Sequence, residues 1–343
     1  MRFRPLRAAT ASAPETVDVG ETPQTMRAMV FDAPGAPEVL HEARMPVPQP
    51  ALSELLVRVV AAGTNPIDAK TRAGRGVSRL IDRYPSIPGF DFSGVVVKSP
   101  YEAHPLQPGA LVFGMLAYPR TGGSYAEYAV VPSLSVAPKP TTLSHVEAAG
   151  VPLAALTAWG LVVETAHAHE GQRILIHAGS GGVGHFAVQL AAYFGAHVTA
   201  TGSERNLTWL RELGAHVAVD YASTRFEDVV GEMDVVIDLV GNTHDDTGTR
   251  SLQVLRPGGL YIMVPTGSWP DYAEAAAAAG VRATSYKVIP DGSVLATIGR
   301  LLETGAIQAY VDSVFDLSEA ARAHTELERG HARGKIVLSV GEP

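Results

Sequence analysis

The chain has no cysteine among its 343 residues. This absence excludes disulfide bonds, thiolate nucleophiles, iron–sulfur clusters and zinc held by cysteine, and it fits a protein of the reducing cytoplasm. Long apolar runs are also missing, so no stretch of about 20 residues could span a membrane. Basic residues are scattered and the net charge is −8, which predicts no nucleic-acid partner. We therefore expect a cytoplasmic protein without a membrane or nucleic-acid partner.

The twelve histidines do not form a pattern of metal ligands. His167 and His169 are close in sequence, but they belong to a polar stretch that is typical of a solvated surface turn. We therefore predict no metal site.

The first 25 residues differ in composition from the rest of the chain. Arg2, Arg4 and Arg7 precede any acidic residue, and Ala, Thr, Ser and Pro then dominate. A transit peptide would be compatible with this composition, but the amphipathic pattern is unclear and no apolar core of a secretion signal is present. The alternatives are a disordered extension or a start codon assigned too early. We predict that residues 1–25 are a disordered extension and that ordered chain begins near Met26.

The remaining length predicts an α/β protein of two domains. Residues 26–145 contain short β-rich runs separated by Pro and Gly, which predicts a compact β domain. In residues 146–285, short apolar strands alternate with helices, which predicts a parallel sheet covered on both faces. Residues 286–343 exceed what that sheet needs, so we expect them to return and complete the first domain. Within this pattern, Ser144 and Glu147 have the spacing of a helix capping box.

A glycine-rich turn between an apolar strand and an amphipathic helix is the most informative motif. Glycines at G-x-G-x-x-G spacing permit a tight turn, close approach of the backbone to a pyrophosphate, and close packing of helix on strand. The amides at the helix start supply partial positive charge to the phosphates. The motif therefore predicts a dinucleotide site that includes Gly179, Ser180, Gly181, Gly182, Val183 and Gly184.

The loop after the second strand of this unit indicates which dinucleotide binds. Domains specific for NAD place an acid about 20 residues after the first glycine, where it binds the ribose 2′-hydroxyl. This chain has Ser203 in that region and no acid in the register, and Arg205 follows with a charge and shape that suit a 2′-phosphate. We predict NADPH. The alternative is NAD, supported by Glu204 beside a solvated Arg205.

Eight segments spread over nearly all of the chain after Met26 carry a resemblance to a known family. They are residues 61–74, 85–97, 122–132, 148–162, 171–196, 213–221, 255–260 and 330–340. In order and spacing they resemble the medium-chain dehydrogenase/reductase superfamily, in its zinc-independent quinone oxidoreductase and enoyl reductase branch. Zinc alcohol dehydrogenases of this superfamily carry Gly-His-Glu and a ligand cysteine, whereas this chain has Gly89-Phe90-Asp91 and no cysteine.

The resemblance implies a β-rich GroES-like catalytic domain, a Rossmann domain, and an active site in the cleft between them. It implies transfer of a hydride from NADPH to a quinone or to a carbon–carbon double bond conjugated to a carbonyl. Lys335 would reach the cofactor phosphates, or it would be a simple surface lysine. The other residues implied at the cofactor are Thr157, Leu239, Val240, Val264 and Thr266 near the nicotinamide and Tyr221 at the adenosine end.

Four residues of the first domain are candidates for catalysis. Asn65 and Asp68 come from the family's Asn-Pro-x-Asp element: the first would hydrogen-bond a substrate carbonyl or the cofactor, and the second would act in the site or fix the loop as a buried acid. Lys70 would stabilise an enolate or lie solvated on the surface. Tyr84 is a candidate proton donor for enoyl reduction, with a packed loop tyrosine as the alternative.

These residues leave three functional hypotheses. The first is an NADPH-dependent reductase of quinones or α,β-unsaturated carbonyls, which acts without a metal. The second is an enoyl reductase that works in trans on thioesters of secondary metabolism, and the third is an NADPH-binding protein without turnover. Two segments are expected to set selectivity, namely residues 72–84 and 268–283. The resemblance also implies a homodimer, with Leu260–Val264 as the candidate interface strand.

Overall fold

The computed structural model describes residues 17–120 and 122–342. The predicted extension lies outside the described residues up to position 16. Residues 17–24 form no helix or strand, but the Val17 amide donates to the Gly109 carbonyl and the Val47 amide donates to the Gln24 carbonyl, both at 3.1 Å. These two backbone hydrogen bonds attach this short part of the chain to the first domain.

The first domain is built on antiparallel strands. Its elements are β1 (Thr25–Val30), β2 (His41–Pro46), β3 (Glu54–Gly63), α1 (Pro66–Arg72), β4 (Asp91–Lys98), β5 (Leu111–Met115), β6 (Tyr128–Pro132), β7 (Val136–Pro138) and α2 (His145–Ala149). Strands β3, β4, β5 and β7 are neighbours in one sheet, and β6 pairs with β3. The expected capping box starts α2, where the Glu147 amide donates to Ser144 Oγ at 3.2 Å and the Ser144 amide donates to Glu147 Oε2 at 2.8 Å.

The second domain alternates parallel strands with helices. Its elements are α3 (Pro152–Trp159), β8 (Arg173–Ile176), α4 (Gly184–Tyr193), β9 (His197–Gly202), α5 (Leu207–Glu212), β10 (Val217–Asp220), β11 (Met233–Asp238), α6 (Thr247–Gln253), β12 (Leu255–Met263), α7 (Tyr272–Ala278) and β13 (Arg282–Ser285). The strand order is β10-β9-β8-β11-β12-β13. The chain progresses in opposite directions on the two sides of β8 and β11, so a ligand crevice is expected at the carboxyl ends of these two strands.

The C-terminal residues return to the first sheet. They form α8 (Gly292–Glu303), β14 (Val311–Asp316), α9 (Ala320–Arg329) and β15 (Lys335–Ser339). Strand β14 pairs with β15 in parallel, and β15 pairs with β3 in antiparallel register. The predicted fold class is confirmed: a Rossmann sheet is joined to a β-rich domain that the C-terminal segment completes. This return brings the start of β15 beside the residues that follow β3.

The strand at the edge of the Rossmann sheet differs from the expected interface strand. The candidate Leu260–Val264 belongs to β12, which pairs with β11 on one side and β13 on the other. Strand β13 stands at the end of the strand order instead. The expectation that Leu260–Val264 is the edge strand is therefore wrong, because the short and partly exposed sequence of β13 lacks the apolar run by which the other strands were found.

None of the helices in the described part of the chain combines the length and apolar character that a membrane span requires.

Candidate active site

The glycine-rich loop joins β8 to α4 at the carboxyl edge of the parallel sheet. The Gly179 amide donates to the Thr201 carbonyl at 2.9 Å, which ties the turn to the end of β9. A Cβ atom on Gly184 would lie 2.1 Å from the Ala178 carbonyl oxygen, so the packing of α4 on this turn requires glycine there. Residues 180–183 are partly exposed, which leaves them accessible to the phosphates of a cofactor.

Asn206 connects the glycine-rich loop with the loop after β9. Its Nδ2 donates to Ser180 Oγ at 3.0 Å and to Ser203 Oγ at 3.1 Å. Its Oδ1 accepts from Arg333 Nε at 2.9 Å. Sequence reasoning did not single out Asn206 or Arg333 as site residues, because no motif predicts a contact between the loop after β9 and the C-terminal segment.

Basic groups surround the end of this loop. Arg205 is exposed, and its guanidinium donates to the His331 carbonyl at 2.5 Å. Arg333 donates to the Arg205 carbonyl at 3.1 Å, and its guanidinium lies 5.2 Å from the centre of the Trp209 ring. Tyr221 is exposed directly after β10. Two arginines, hydroxyl groups and an exposed aromatic ring are the donor set that suits the 2′-phosphate and adenosine of NADPH.

Four of the five predicted nicotinamide residues follow the ends of β11 and β12, and the fifth, Thr157, lies in α3. Asp238 accepts from the amides of Val240 and Gly241, both at 2.8 Å, and from the Tyr261 hydroxyl at 2.5 Å. These bonds hold the segment after β11 in place. Thr157 is buried in α3, with its hydroxyl bonded to the Leu153 carbonyl at 2.6 Å. The partly or fully exposed members of this group are Leu239, Val240, Val264 and Thr266.

A buried polar cluster of Asn65, Asp68, Asp91 and Lys335 lies where the two domains meet. Lys335 Nζ donates to the Thr64 carbonyl at 2.8 Å and to Asn65 Oδ1, and it lies 3.5 Å from Asp91 Oδ2. Only 4% of Lys335 is exposed. Lys335 is therefore not a surface lysine, and its ammonium group is held inside this cluster.

Asn65 is also part of the buried polar cluster. Its Nδ2 donates to Asp91 Oδ2 at 2.9 Å, and its Oδ1 accepts from Lys335. The side chain orients the carboxylate and the ammonium group on either side of it.

Asp91 is the member of the cluster that sequence reasoning missed. It accepts from the Leu153 amide at 2.8 Å, and Leu153 lies in the first turn of α3. Asp91 therefore connects β4 with the helix that carries Thr157. The only signal in the sequence was its position in Gly89-Phe90-Asp91, where the zinc enzymes have Gly-His-Glu.

Asp68 is the acid of the cluster that holds a proton at neutral pH. Burial, and then the negative charge of Asp91, raise the pKa of Asp68 to about 8. Its Oδ2 accepts from the Asn65 amide at 2.8 Å at the start of α1. The structural alternative, in which Asp68 fixes this loop, agrees with this hydrogen bond and with the nearby Gly89 backbone amide, which also favours the charged form of the carboxyl group.

The other two catalytic candidates lie apart from this cluster. Lys70 is half-buried in the last turn of α1, and burial and the charge of Arg75 lower its pKa. In the described part of the chain, no hydrogen bond joins Lys70 to the cluster. Tyr84 is 40% exposed, and its ring meets the edge of Phe31 at 5.6 Å. Of the four candidates, the structure brings Asn65 and Asp68 together and leaves Lys70 and Tyr84 outside the cluster.

A second tyrosine, Tyr118, is buried in the first domain and was not found from the sequence. Its hydroxyl lies 2.8 Å from Ser86 Oγ, and its ring packs edge-on against Phe90 at 5.5 Å. Burial raises the pKa of Tyr118, and the nearby Asp68 and Tyr84 add to this effect. The hydroxyl therefore remains protonated over the working pH range.

Comparison with known proteins places the chain in a family. It matches the family descriptions "Alcohol dehydrogenase GroES-like domain" over residues 51–141 and "Zinc-binding dehydrogenase" over residues 213–338. It is 36% identical to the 2-methylene-furan-3-one reductase of Solanum lycopersicum, covering 97% of this chain and 85% of that protein. The chain belongs to the medium-chain dehydrogenase/reductase superfamily.

Two further superfamily members resemble the chain over most of its length. The "NADPH-dependent alkenal/one oxidoreductase, chloroplastic" of Arabidopsis thaliana is 34% identical, covering 98% of this chain and 86% of that protein. The solved structure of the quinone oxidoreductase from Coxiella burnetii superposes with a TM-score of 0.86 at 36% identity, covering 92% of this chain and 99% of that one.

This superfamily member belongs to the zinc-independent branch. One matched family is described as zinc-binding, but this chain has no cysteine, and Phe90 and Asp91 stand where the zinc enzymes have histidine and glutamate. Within residues 17–120 and 122–342, no three histidine, aspartate or glutamate side chains are grouped so that they could hold a metal ion.

Proposed function

We propose that this protein is an NADPH-dependent reductase that acts on quinones or on carbon–carbon double bonds conjugated to a carbonyl, without a metal. One observation carries the proposal: the residues at the start of β15 join the cofactor loop to the polar cluster. The Gly334 amide donates to the Ser180 carbonyl at 2.9 Å, and the adjacent Lys335 donates to the Thr64 carbonyl at 2.8 Å. The dinucleotide site and the first domain's polar groups are thus held side by side.

NADPH supplies the hydride when it is bound. The chain's own residues bind and orient the reactants: the glycine-rich loop and its helix start hold the pyrophosphate, and Ser203, Arg205 and Arg333 hold the 2′-phosphate. Segments after β11 and β12 and Thr157 of α3 line the reacting end. The relatives' names describe reductases of an enone, of alkenals and of quinones, and these substrates share a double bond conjugated to a carbonyl.

The proposal is tested by following NADPH consumption with three acceptors: an ortho-quinone, a short-chain enone and a short enoyl thioester. Turnover of the quinone or the enone is the expected result. Turnover of the thioester alone would replace it with the enoyl-thioester reductase. NADPH binding without consumption of any acceptor would contradict the enzymatic function and favour the protein that only binds the cofactor.

Arg205→Ala is expected to raise the KM for NADPH by about tenfold while the KM for NADH changes less than about twofold, because only NADPH offers a 2′-phosphate to the guanidinium. Steady-state kinetics with both cofactors measures this. Arg211→Ala removes an exposed arginine from the neighbouring helix α5 and serves as the matched control. Equal losses with NADPH and NADH in Arg205→Ala would contradict the assignment.

We also propose a homodimer and a cytoplasmic location. The position of β13 at the end of the Rossmann sheet supports the homodimer, because an edge strand offers unpaired backbone groups to a second copy. Sedimentation at micromolar concentration measures it, and a monomer throughout would contradict it. The lack of cysteine supports the second, which cell fractionation tests.

A further inference from the structure

Helix α3 begins without a capping side chain of its own. Its N-cap is Val151, which forms no side-chain cap hydrogen bond, and Pro152 at the first helical position has no amide hydrogen. The Leu153 amide is therefore the first donor inside the helix, and the amides of a first turn need acceptors from outside it. Asp91 of β4 supplies one, because its Oδ1 accepts from the Leu153 amide at 2.8 Å. A carboxylate at this end also interacts favourably with the helix dipole.

The same leucine is bonded to the candidate nicotinamide residue of α3. Thr157 Oγ1 donates to the Leu153 carbonyl at 2.6 Å. This bond commits the hydroxyl hydrogen of Thr157 and leaves its oxygen as an acceptor, which suits the amide N–H groups of a nicotinamide. Asp91 thus holds the amide of Leu153, and Thr157 holds the carbonyl of the same residue. Two short hydrogen bonds through one residue connect the carboxylate with the threonine.

The other side of the Asp91 carboxylate is connected to the glycine-rich loop. Its Oδ2 accepts from Asn65 Nδ2 at 2.9 Å and lies 3.5 Å from Lys335 Nζ. Lys335 directly follows Gly334, whose amide donates to the Ser180 carbonyl of that loop at 2.9 Å. The Asp91 side chain is fully buried. Bonds therefore run from this carboxylate to the start of α3 in one direction and to the glycine-rich loop in the other.

We propose that Asp91 is a positioning residue of the reductase: through the Leu153 amide it fixes α3, and thereby Thr157, relative to the glycine-rich loop. The inference rests on the proposed function, in which the loop holds the pyrophosphate and Thr157 lines the reacting end of the same cofactor. Reaction rates depend steeply on orientation, and a misplacement of about 1 Å can cost about 100-fold. Loss of the bond from Leu153 to Asp91 should therefore lower kcat much more than the affinity for NADPH.

The test compares two double variants that both lack the buried ion pair. Asp91→Asn with Lys335→Met keeps a side-chain oxygen that can accept from the Leu153 amide, whereas Asp91→Leu with Lys335→Met has nearly the same shape and no acceptor. We expect kcat of the second variant to be at least about tenfold lower than kcat of the first, while their Kd values for NADPH are alike. Turnover of 9,10-phenanthrenequinone and 3-penten-2-one gives kcat, and titration of NADPH fluorescence gives Kd.

Asp234 and Arg256 offer a matched control. Asp234 Oδ2 accepts from the Arg173 amide at 2.7 Å, and its Oδ1 lies 2.6 Å from Arg256 Nε. The chemistry is the same, a carboxylate between a backbone amide and a basic side chain, but these residues lie at the amino ends of β8 and β11, away from the glycine-rich loop. Asp234→Asn and Asp234→Leu, each combined with Arg256→Met, should therefore have equal kcat, even where urea unfolding shows that their stabilities differ.

Thr157→Val tests whether Asp91 acts through the threonine. Added to Asp91→Asn with Lys335→Met, it should lower kcat clearly, because the hydroxyl is still held in position there. Added to Asp91→Leu with Lys335→Met, it should lower kcat little further, because residues that act through one another are not additive. The same factor in both backgrounds would overturn the route through Thr157.

The outcomes separate the positioning role from the proposed function. Equal kcat in the two Asp91 variants would overturn the positioning role while the wild type remains a reductase. A loss of NADPH affinity as large as the loss in kcat would also overturn it, because the bond would then serve cofactor binding and not orientation. Turnover of neither acceptor by the wild type would overturn the proposed function and the positioning role together.

Discussion

Lys335→Met is expected to lower the free energy of unfolding by about 3–5 kcal/mol, because it removes one partner of a buried ion pair and leaves the other without compensation. In the wild type, the ammonium group lies 3.5 Å from Asp91 Oδ2 and donates to Asn65 and Thr64. Methionine fills a volume similar to that of lysine, so the loss of stability reflects the removed charge and not a cavity. Urea unfolding followed by circular dichroism measures it.

Two further variants give this prediction its controls. Lys98→Met removes an exposed lysine at the end of β4 and should change the free energy of unfolding by less than about 0.5 kcal/mol. The double variant Lys335→Met with Asp91→Asn removes both charges, and it should recover part of the loss because no unpaired charge stays buried. A single variant within about 1 kcal/mol of the wild type would show that the pair does not hold the domains' polar groups together.

Asp68→Asn is expected to become more stable relative to the wild type as the pH rises from 5 to 8. The folded protein keeps the Asp68 proton up to a pKa of about 8, whereas an unfolded chain releases it near pH 4. Between these values the folded state binds more protons, so a rise in pH lowers the stability of the wild type. Asparagine does not titrate, and the difference between the proteins should grow by at most about 1.4 kcal/mol per pH unit.

Urea unfolding at intervals between pH 5 and pH 9 measures this difference. The control variant Asp82→Asn changes an exposed aspartate in the loop after α1. Its free energy of unfolding should change with pH in parallel with that of the wild type. If the free energy of unfolding of Asp68→Asn also ran parallel to that of the wild type, Asp68 would have the same pKa in the folded and the unfolded state. The argument that burial raises its pKa would then fail.

Local features of the sequence were sufficient to predict much of the fold. The glycine spacing predicted the turn before α4, where a Cβ on Gly184 would lie 2.1 Å from the Ala178 carbonyl. Short apolar strands that alternate with helices predicted the parallel sheet, and Ser144 with Glu147 predicted the start of α2. Strand β13 was missed, because four residues with partly exposed side chains carry too little periodicity.

The roles of the site residues were predicted less well than the fold. Lys335 was expected at the phosphates or at the surface, and it is buried with Asp91. Asn65 was expected to bind substrate, and its amide is engaged inside the same cluster. The contacts of Asn206 with Arg333, and of Tyr118 with Ser86, were not predicted.

The cofactor loop, the parallel sheet and the family could be predicted from the amino-acid sequence, because they depend on residues that are neighbours along the chain. The roles of the polar side chains depend on contacts that form only in the folded protein. The bond from Lys335 Nζ to the Thr64 carbonyl joins residues 271 positions apart, and no local pattern records such a separation. A buried charge is stable only when its partners surround it, and those partners come from the residues after β3, from β4 and from β15 when the C-terminal strand returns to the first sheet.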